Sequence, residues 1–133
     1  SSTLEEEFRM LEAHFAHYDY VFLHVKPTDL AGEDGDFERK VKVIEEVDSL
    51  VPRILELKPQ VVAVAADHST PAVYKGHTWH PVPFLLSSPW CRRGSVTGFS
   101  EDQCAQGGLG HMASVQVMPL LLAHAGKLSK YGA

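Results

Sequence analysis

The run Gln60-Val61-Val62-Ala63-Val64-Ala65-Ala66-Asp67-His68-Ser69, followed shortly by Lys75-Gly76-His77-Thr78-Trp79-His80-Pro81-Val82-Pro83, decides how this chain is read. Its apolar, β-branched first half reads as a buried strand, and it ends abruptly in a carboxylate and an imidazole side by side, Asp67 and His68. In open α/β sheets ligands bind beyond the carboxyl ends of strands, so this strand end is where an active site is expected, with His77 and His80 arriving just afterwards. Asp and neutral His are oxygen and nitrogen donors suited to Zn2+ or Mn2+. A solvated loop that happens to be rich in histidine is the competing reading at this point.

A length of 133 residues suits a single α/β unit spanning 1–133, long enough to bury a core. No apolar run approaches the ~20 residues that a membrane helix needs, so no membrane association is expected. The two cysteines, Cys91 and Cys104, do not suggest a disulfide framework, and the chain opens on no signal pattern; a reducing cytoplasm is the expected compartment. A net charge of -5 argues against a nucleic-acid partner, because phosphate neutralisation needs clustered Lys and Arg and Arg92-Arg93 is the one pair of adjacent arginines.

Outward from the central run, Thr3-Leu4-Glu5-Glu6 has the form of a capping box, and Leu4, Phe8, Leu11 and Phe15 predict an amphipathic helix over 4–17. Tyr20-Val21-Phe22-Leu23-His24-Val25 reads as a strand. Residues 26–36 read as an acidic loop closed by Asp36 as an N-cap; an EF-hand fails there, because Ala31 stands at the third ligand position counted from Asp29. Phe37, Val41, Ile44, Val47, Val51 and Ile54 mark one face of a long helix, with a kink or break expected near 49–51 because Pro52 lacks a backbone donor. Strand, helix and strand together predict a parallel pair with a right-handed crossover. Residues 82–87 form a third apolar run, Ser100-Glu101-Asp102-Gln103 a short capped turn, and Val115, Met118, Leu121, Leu122 and Ala125 the stripe of a last helix that Pro119 delays or bends.

Several motifs fail on context. Gly108-Leu109-Gly110-His111-Met112-Ala113 fits G-x-G-x-x-A but follows no strand, so a dinucleotide site is not expected. No phosphate-cradling P-loop, Cys-x-x-Cys or His-Glu-x-x-His occurs. Nothing singles out Ser69 as an activated nucleophile.

Lys26-Pro27-Thr28-Asp29-Leu30-Ala31-Gly32-Glu33-Asp34-Gly35-Asp36, Ala66-Asp67-His68-Ser69-Thr70-Pro71 and the Gly76-to-Pro83 segment occur in an order that resembles a known family. From about Tyr20 onward the chain is similar to the C-terminal part of the archaeal-type cofactor-independent (2,3-bisphosphoglycerate-independent) phosphoglycerate mutases, within the alkaline phosphatase superfamily. The resemblance implies a three-layer α/β/α fold with a mainly parallel sheet, and a two-metal site for phosphoryl transfer. Asp29 and His77 match ligands of one metal, Asp67 and His68 ligands of the other. The ions implied are Mn2+ first, then Zn2+, Co2+ or Mg2+. The reaction implied is that of a glycolytic and gluconeogenic isomerase, interconverting 3-phosphoglycerate and 2-phosphoglycerate through a phosphoserine. Lys26 and His80 are the candidate substrate contacts, while Arg92 and Arg93 read better as solvated surface.

Two departures accompany the resemblance. Many relatives carry His where this chain has Glu33; a carboxylate also coordinates Mn2+ or Zn2+, so Glu33 joins the candidate ligands. The family is also longer, and its nucleophilic serine and one further Asp ligand come from a segment that Ser1, Ser2 and Thr3 do not resemble. No catalytic nucleophile is therefore assigned here, and the chain is expected to be an excised piece, inactive alone, whose exposed edge or apolar patch a homo-oligomer would hide. The alternatives are another metal-dependent phosphatase or phosphodiesterase of the superfamily, or a non-catalytic metal-binding or interaction domain. Lys-x-Thr-Asp-x-Ala-Gly around Asp29 favours the mutase.

Overall fold

In the computed structural model, which describes residues 3–129, the capping box forms as its spacing predicts. Thr3 Oγ1 accepts the Glu6 N–H at 3.2 Å while the Glu6 carboxylate accepts the Thr3 N–H at 2.8 Å, so two otherwise orphaned donors at the helix start are satisfied. Helix α1 spans Leu4–His14 and tightens into a 3-10 turn at Phe15–His17. Leu4 and Phe8, one turn apart, are buried.

The described residues divide into two compact units, 3–59 with 70–78 and 60–69 with 79–129. In the first, helix α2 (Pro27–Asp34) occupies the stretch expected to be an acidic loop. The correction has a local cause: Pro27 sits in the first turn, where its missing N–H costs nothing, Asp29 complements the helix dipole there, and Gly35 ends the helix in the left-handed region at φ +75°. Asp36 then caps helix α3 (Phe37–Glu56) by accepting the Arg39 N–H at 2.9 Å, as its place before the apolar stripe predicts.

Helix α3 runs through Pro52 without the expected break. Its stripe is half-buried at Val41, Val47, Val51 and Ile54 but exposed at Phe37 and Ile44. Residues 20–25 form no strand, again a correction. Leu23 and Val25 are half-buried and Phe22 and His24 exposed, the alternation of an extended chain, yet no described strand pairs with them, and a strand exists only through its ladder. Between α1 and this segment lies an apolar groove of about 400 Å3 lined by Met10, Leu11, Tyr18 and Phe22 among others.

In the second unit, β1 (Val62–Ala65) pairs with β2 (Phe84–Ser87) in antiparallel register, Val62 opposite Ser87 and Ala65 opposite Phe84. Both runs are therefore strands as read, but the ladder among the described residues is antiparallel where a mainly parallel sheet is expected. Burial differs too: Ala63, Val64 and Ala65 are exposed, because an apolar strand is buried only when further layers cover its faces. Ser100 caps the short helix α4 (Glu101–Cys104) by accepting the Gln103 N–H. Helix α5 (Val117–His124) follows a 3-10 turn at Ser114–Gln116 and starts late enough to place Pro119 in its first turn, where no donor is required. No described helix is long and apolar enough to cross a membrane.

One polar cluster ties α1 to α3. The Arg53 guanidinium donates to both Glu12 oxygens, at 2.6 and 2.7 Å, and to Glu5 at 2.6 Å, and it lies 5.8 Å from the centre of the Phe8 ring. Hydrogen bonds from Arg53 hold both carboxyls below their ordinary value of 4.5. A lowered carboxyl pKa contributes stability above the unfolded value and loses it as pH falls through the folded one. Thermal unfolding of the Arg53→Met variant should therefore show a lower Tm than the parent near neutral pH and a gap that closes as pH falls from about 5 to about 3. Parallel Tm curves would show that the cluster does not couple to folding.

Candidate metal centre

Gly32 lies on the face of α2 that meets residue 70, and a Cβ there would stand 2.3 Å from the Thr70 carbonyl oxygen and 3.0 Å from its Cγ2. Only a residue without a side chain permits this approach. Thr70 is consequently buried, at 4% exposure, next to fully buried Ala31. Its hydroxyl donates to Asp29 Oδ1 at 2.6 Å, and Lys40 Nζ, reaching across from α3, donates to its carbonyl. From Thr70 the chain makes a tight turn, with the N–H groups of Tyr74 and Lys75 both on the Pro71 carbonyl and Lys75 at φ +57°. That turn brings His77 back to α2.

Asp29 and Glu33 are four residues apart on α2 and so project from one face. His77 Nε2 stands 3.4 Å from Asp29 Oδ1 and 3.4 Å from Glu33 Oε1. These separations exceed a charge-assisted hydrogen bond, which runs about 2.7–2.9 Å. They match the spacing of two donors on one tetrahedral divalent ion, about 3.4 Å when each lies about 2.1 Å from the metal. The donor chemistry fits as well: two carboxylates and an imidazole suit Zn2+ or Mn2+. The Asp29 side chain is 11% exposed, whereas His77 and Glu33 are about half exposed at 50% and 46%, so the set is anchored at one end and open at the other. The other Asp29 oxygen is held by Lys26 Nζ, and the Thr70 hydroxyl fixes Oδ1, so the carboxylate is oriented at both oxygens.

The remaining candidates are placed as follows. Asp67 and His68 follow β1 directly in the second unit; Asp67 Oδ1 accepts the His68 N–H at 3.0 Å, and its other oxygen lies 3.5 Å from His68 Nε2. His80, also of the second unit, stacks on Trp79 with ring centres 5.2 Å apart and planes at 19°. Lys26, read as a substrate contact, precedes α2 and pairs with Asp29. Sequence reasoning passes over Thr70, Lys40 and Gly32. A glycine inside a helix, three residues before the glycine that ends it, is a usable signal of close approach, but nothing in the local pattern marks Thr70 or Lys40.

Residues 3–124 match the family described as Metalloenzyme superfamily. Proteins named probable 2,3-bisphosphoglycerate-independent phosphoglycerate mutase are similar to nearly the whole chain: that of one Thermus thermophilus strain is 51% identical over 130 residues, covering 98% of this chain and 32% of its own. Those of Thermosipho africanus and Aquifex aeolicus are 52% and 49% identical, with 33% and 32% of their own lengths covered. The chain thus spans about a third of the length of these relatives. Among solved structures, one titled "Structure of PH0037 protein from Pyrococcus horikoshii" superposes with a TM-score of 0.89 at 33% identity, over 96% of this chain and 40% of that one. With the family match running through α1, α2, α3 and both strands, this mixed α/β chain belongs to the metalloenzyme superfamily.

Proposed function

We propose that this chain supplies part of the two-metal site of a phosphoglycerate mutase, interconverting 3-phosphoglycerate and 2-phosphoglycerate through a phosphoserine whose serine lies outside these residues. The observation that carries the reading is His77 Nε2 standing 3.4 Å from one oxygen each of Asp29 and Glu33, beside a carboxylate already oriented by Thr70. In this reading Asp29, Glu33 and His77 hold one ion, and Asp67 and His68 supply ligands to the second. Mn2+ is the first candidate, ahead of Zn2+, Co2+ and Mg2+. A divalent pair, when bound, neutralises phosphoryl charge and clamps the attacking and leaving oxygens of an in-line displacement.

The residues of this chain bind and orient. Thr70 keeps Asp29 Oδ1 turned toward His77, and Lys26 balances charge on the opposite oxygen. With His80, Lys26 is the proposed contact for the substrate's anionic groups. The three-layer α/β/α arrangement with a mainly parallel sheet belongs, in this reading, to the assembled catalytic domain, in which residues 20–25 take up the strand role that their alternation suits. The names of the relatives, together with their 49–52% identity, favour the mutase over a phosphatase or phosphodiesterase of the same superfamily. A glycolytic enzyme of this kind works in the cytoplasm.

Calorimetric titration with Mn2+ tests the ligand set. The parent chain should bind, Thr70→Val should weaken binding by about 10–100-fold, the range typical of losing a contact that orients a ligand, and His77→Ala should weaken it further. Gly32→Ala should mimic Thr70→Val, since the added methyl displaces the Thr70 backbone. Equal affinity for parent and His77→Ala would remove His77 from the site. For the assignment of the nucleophile, a coupled enolase assay on the purified chain with Mn2+ should show no turnover of 3-phosphoglycerate. Sustained turnover would mean that these residues contain the phosphoryl acceptor.

A further inference from the structure

The second unit holds a nucleophile cluster that the metal chemistry leaves unused. Just beyond β2, Ser88 Oγ lies 2.7 Å from His124 Nδ1 at the end of α5, and Cys91 Sγ lies 3.5 Å from the same Ser88 oxygen and 3.7 Å from the same His124 nitrogen. Ser88 Oγ accepts the Trp90 N–H at 3.1 Å, which leaves its own proton for His124 Nδ1 and a lone pair within reach of the Cys91 thiol, whose sulfur also lies 3.5 Å from the Leu86 carbonyl oxygen. A tight turn, closed by the Cys91 N–H on the Ser88 carbonyl at 3.2 Å, holds the thiol beside the hydroxyl.

Ser88 and Cys91 line an open surface pocket of about 560 Å3 together with Leu86, Arg92 and Arg93. Cys91 is half-buried, while both arginines are exposed and neither forms an ion pair among the described residues. Reactive cysteines occupy partly exposed, electropositive surroundings with a base in reach; all three conditions meet here. The other cysteine, Cys104 on α4, is equally half-buried, yet its sulfur has no hydrogen-bond partner among the described residues.

We propose that Cys91 is a reactive thiol site for small disulfides that carry carboxylates. The Cys91 proton passes to Ser88 Oγ as the Ser88 proton passes to His124 Nδ1. The thiolate attacks one sulfur of the disulfide; a new S–S bond forms, the old one breaks, and the departing thiolate takes up the proton from His124. Cys91 is oxidised to a mixed disulfide and the other half of the reagent is reduced to a thiol, so no further oxidant is needed. Arg92 and Arg93 hold the reagent's carboxylates in the cavity.

Three disulfides of different charge test this on the intact chain, read by mass spectrometry with peptide mapping: anionic glutathione disulfide, neutral bis(2-hydroxyethyl) disulfide and cationic cystamine. Cys91 should react at least about 10-fold faster than Cys104 with glutathione disulfide, and its advantage should fall through the neutral reagent to the cation. The Arg92→Gln/Arg93→Gln variant should lose the charge preference while keeping its rate with the neutral reagent, and His124→Asn should slow Cys91 with all three. Equal rates at Cys91 and Cys104, or a Cys91 advantage indifferent to reagent charge, overturns the proposal on the unsubstituted chain, whatever the variants do.

Discussion

The candidate centre depends on the close approach of the Thr70 backbone to Gly32. No side chain other than hydrogen fits between them, and the contact places a hydroxyl donor 2.6 Å from Asp29 while starting the turn that returns His77 to the same helix face. Two pieces of chain some forty residues apart thus converge on one carboxylate. The convergence is stiff for identifiable reasons: Thr70 is buried, its carbonyl is claimed by Lys40, and Gly35 ends α2 where Lys75 packs across it. Preorganisation of this kind is what a metal ligand needs, because an ion gains little from donors that must first be gathered.

Charges of both signs surround that carboxylate, with Lys26 on one oxygen and His77 near the other. Asp29 and Glu33 lie one turn apart on α2, and His77 Nε2 stands 3.4 Å from an oxygen of each. The end of the cluster formed by Glu33 and His77 is about half exposed, whereas Asp29 is nearly buried.

Local chemistry is legible in the sequence wherever a short-range rule governs. The capping box at Thr3, the Asp36 cap and the late start of α5 at Pro119 all follow from groups within four residues of one another. The helix at 27–34 escapes such a reading because the four carboxylates and two glycines of residues 26–36 look like a loop, although Pro27, Asp29 and Gly35 each stand at a favoured helix position. The segment 20–25 invites the opposite error: its alternation is real, but pairing is a property of the neighbour, and periodicity within one segment says nothing about it. The same limit explains the exposure of β1, whose apolar residues announce that they suit burial without supplying the layer that buries them. Of the centre itself, Asp29, Glu33 and His77 are reached through a resemblance and the donor types. Thr70 and Lys40, which brace the site through a hydroxyl and a backbone carbonyl, carry no sequence mark of their own.

The proposed metal centre stands or falls on one divalent ion being shared by Asp29, Glu33 and His77. Anomalous diffraction from crystals of this chain soaked in Mn2+ measures that directly. It should place a peak about 2.1 Å from Asp29 Oδ1, Glu33 Oε1 and His77 Nε2. A peak bound only by other side chains, or no peak beside Asp29 at saturating Mn2+, would contradict it.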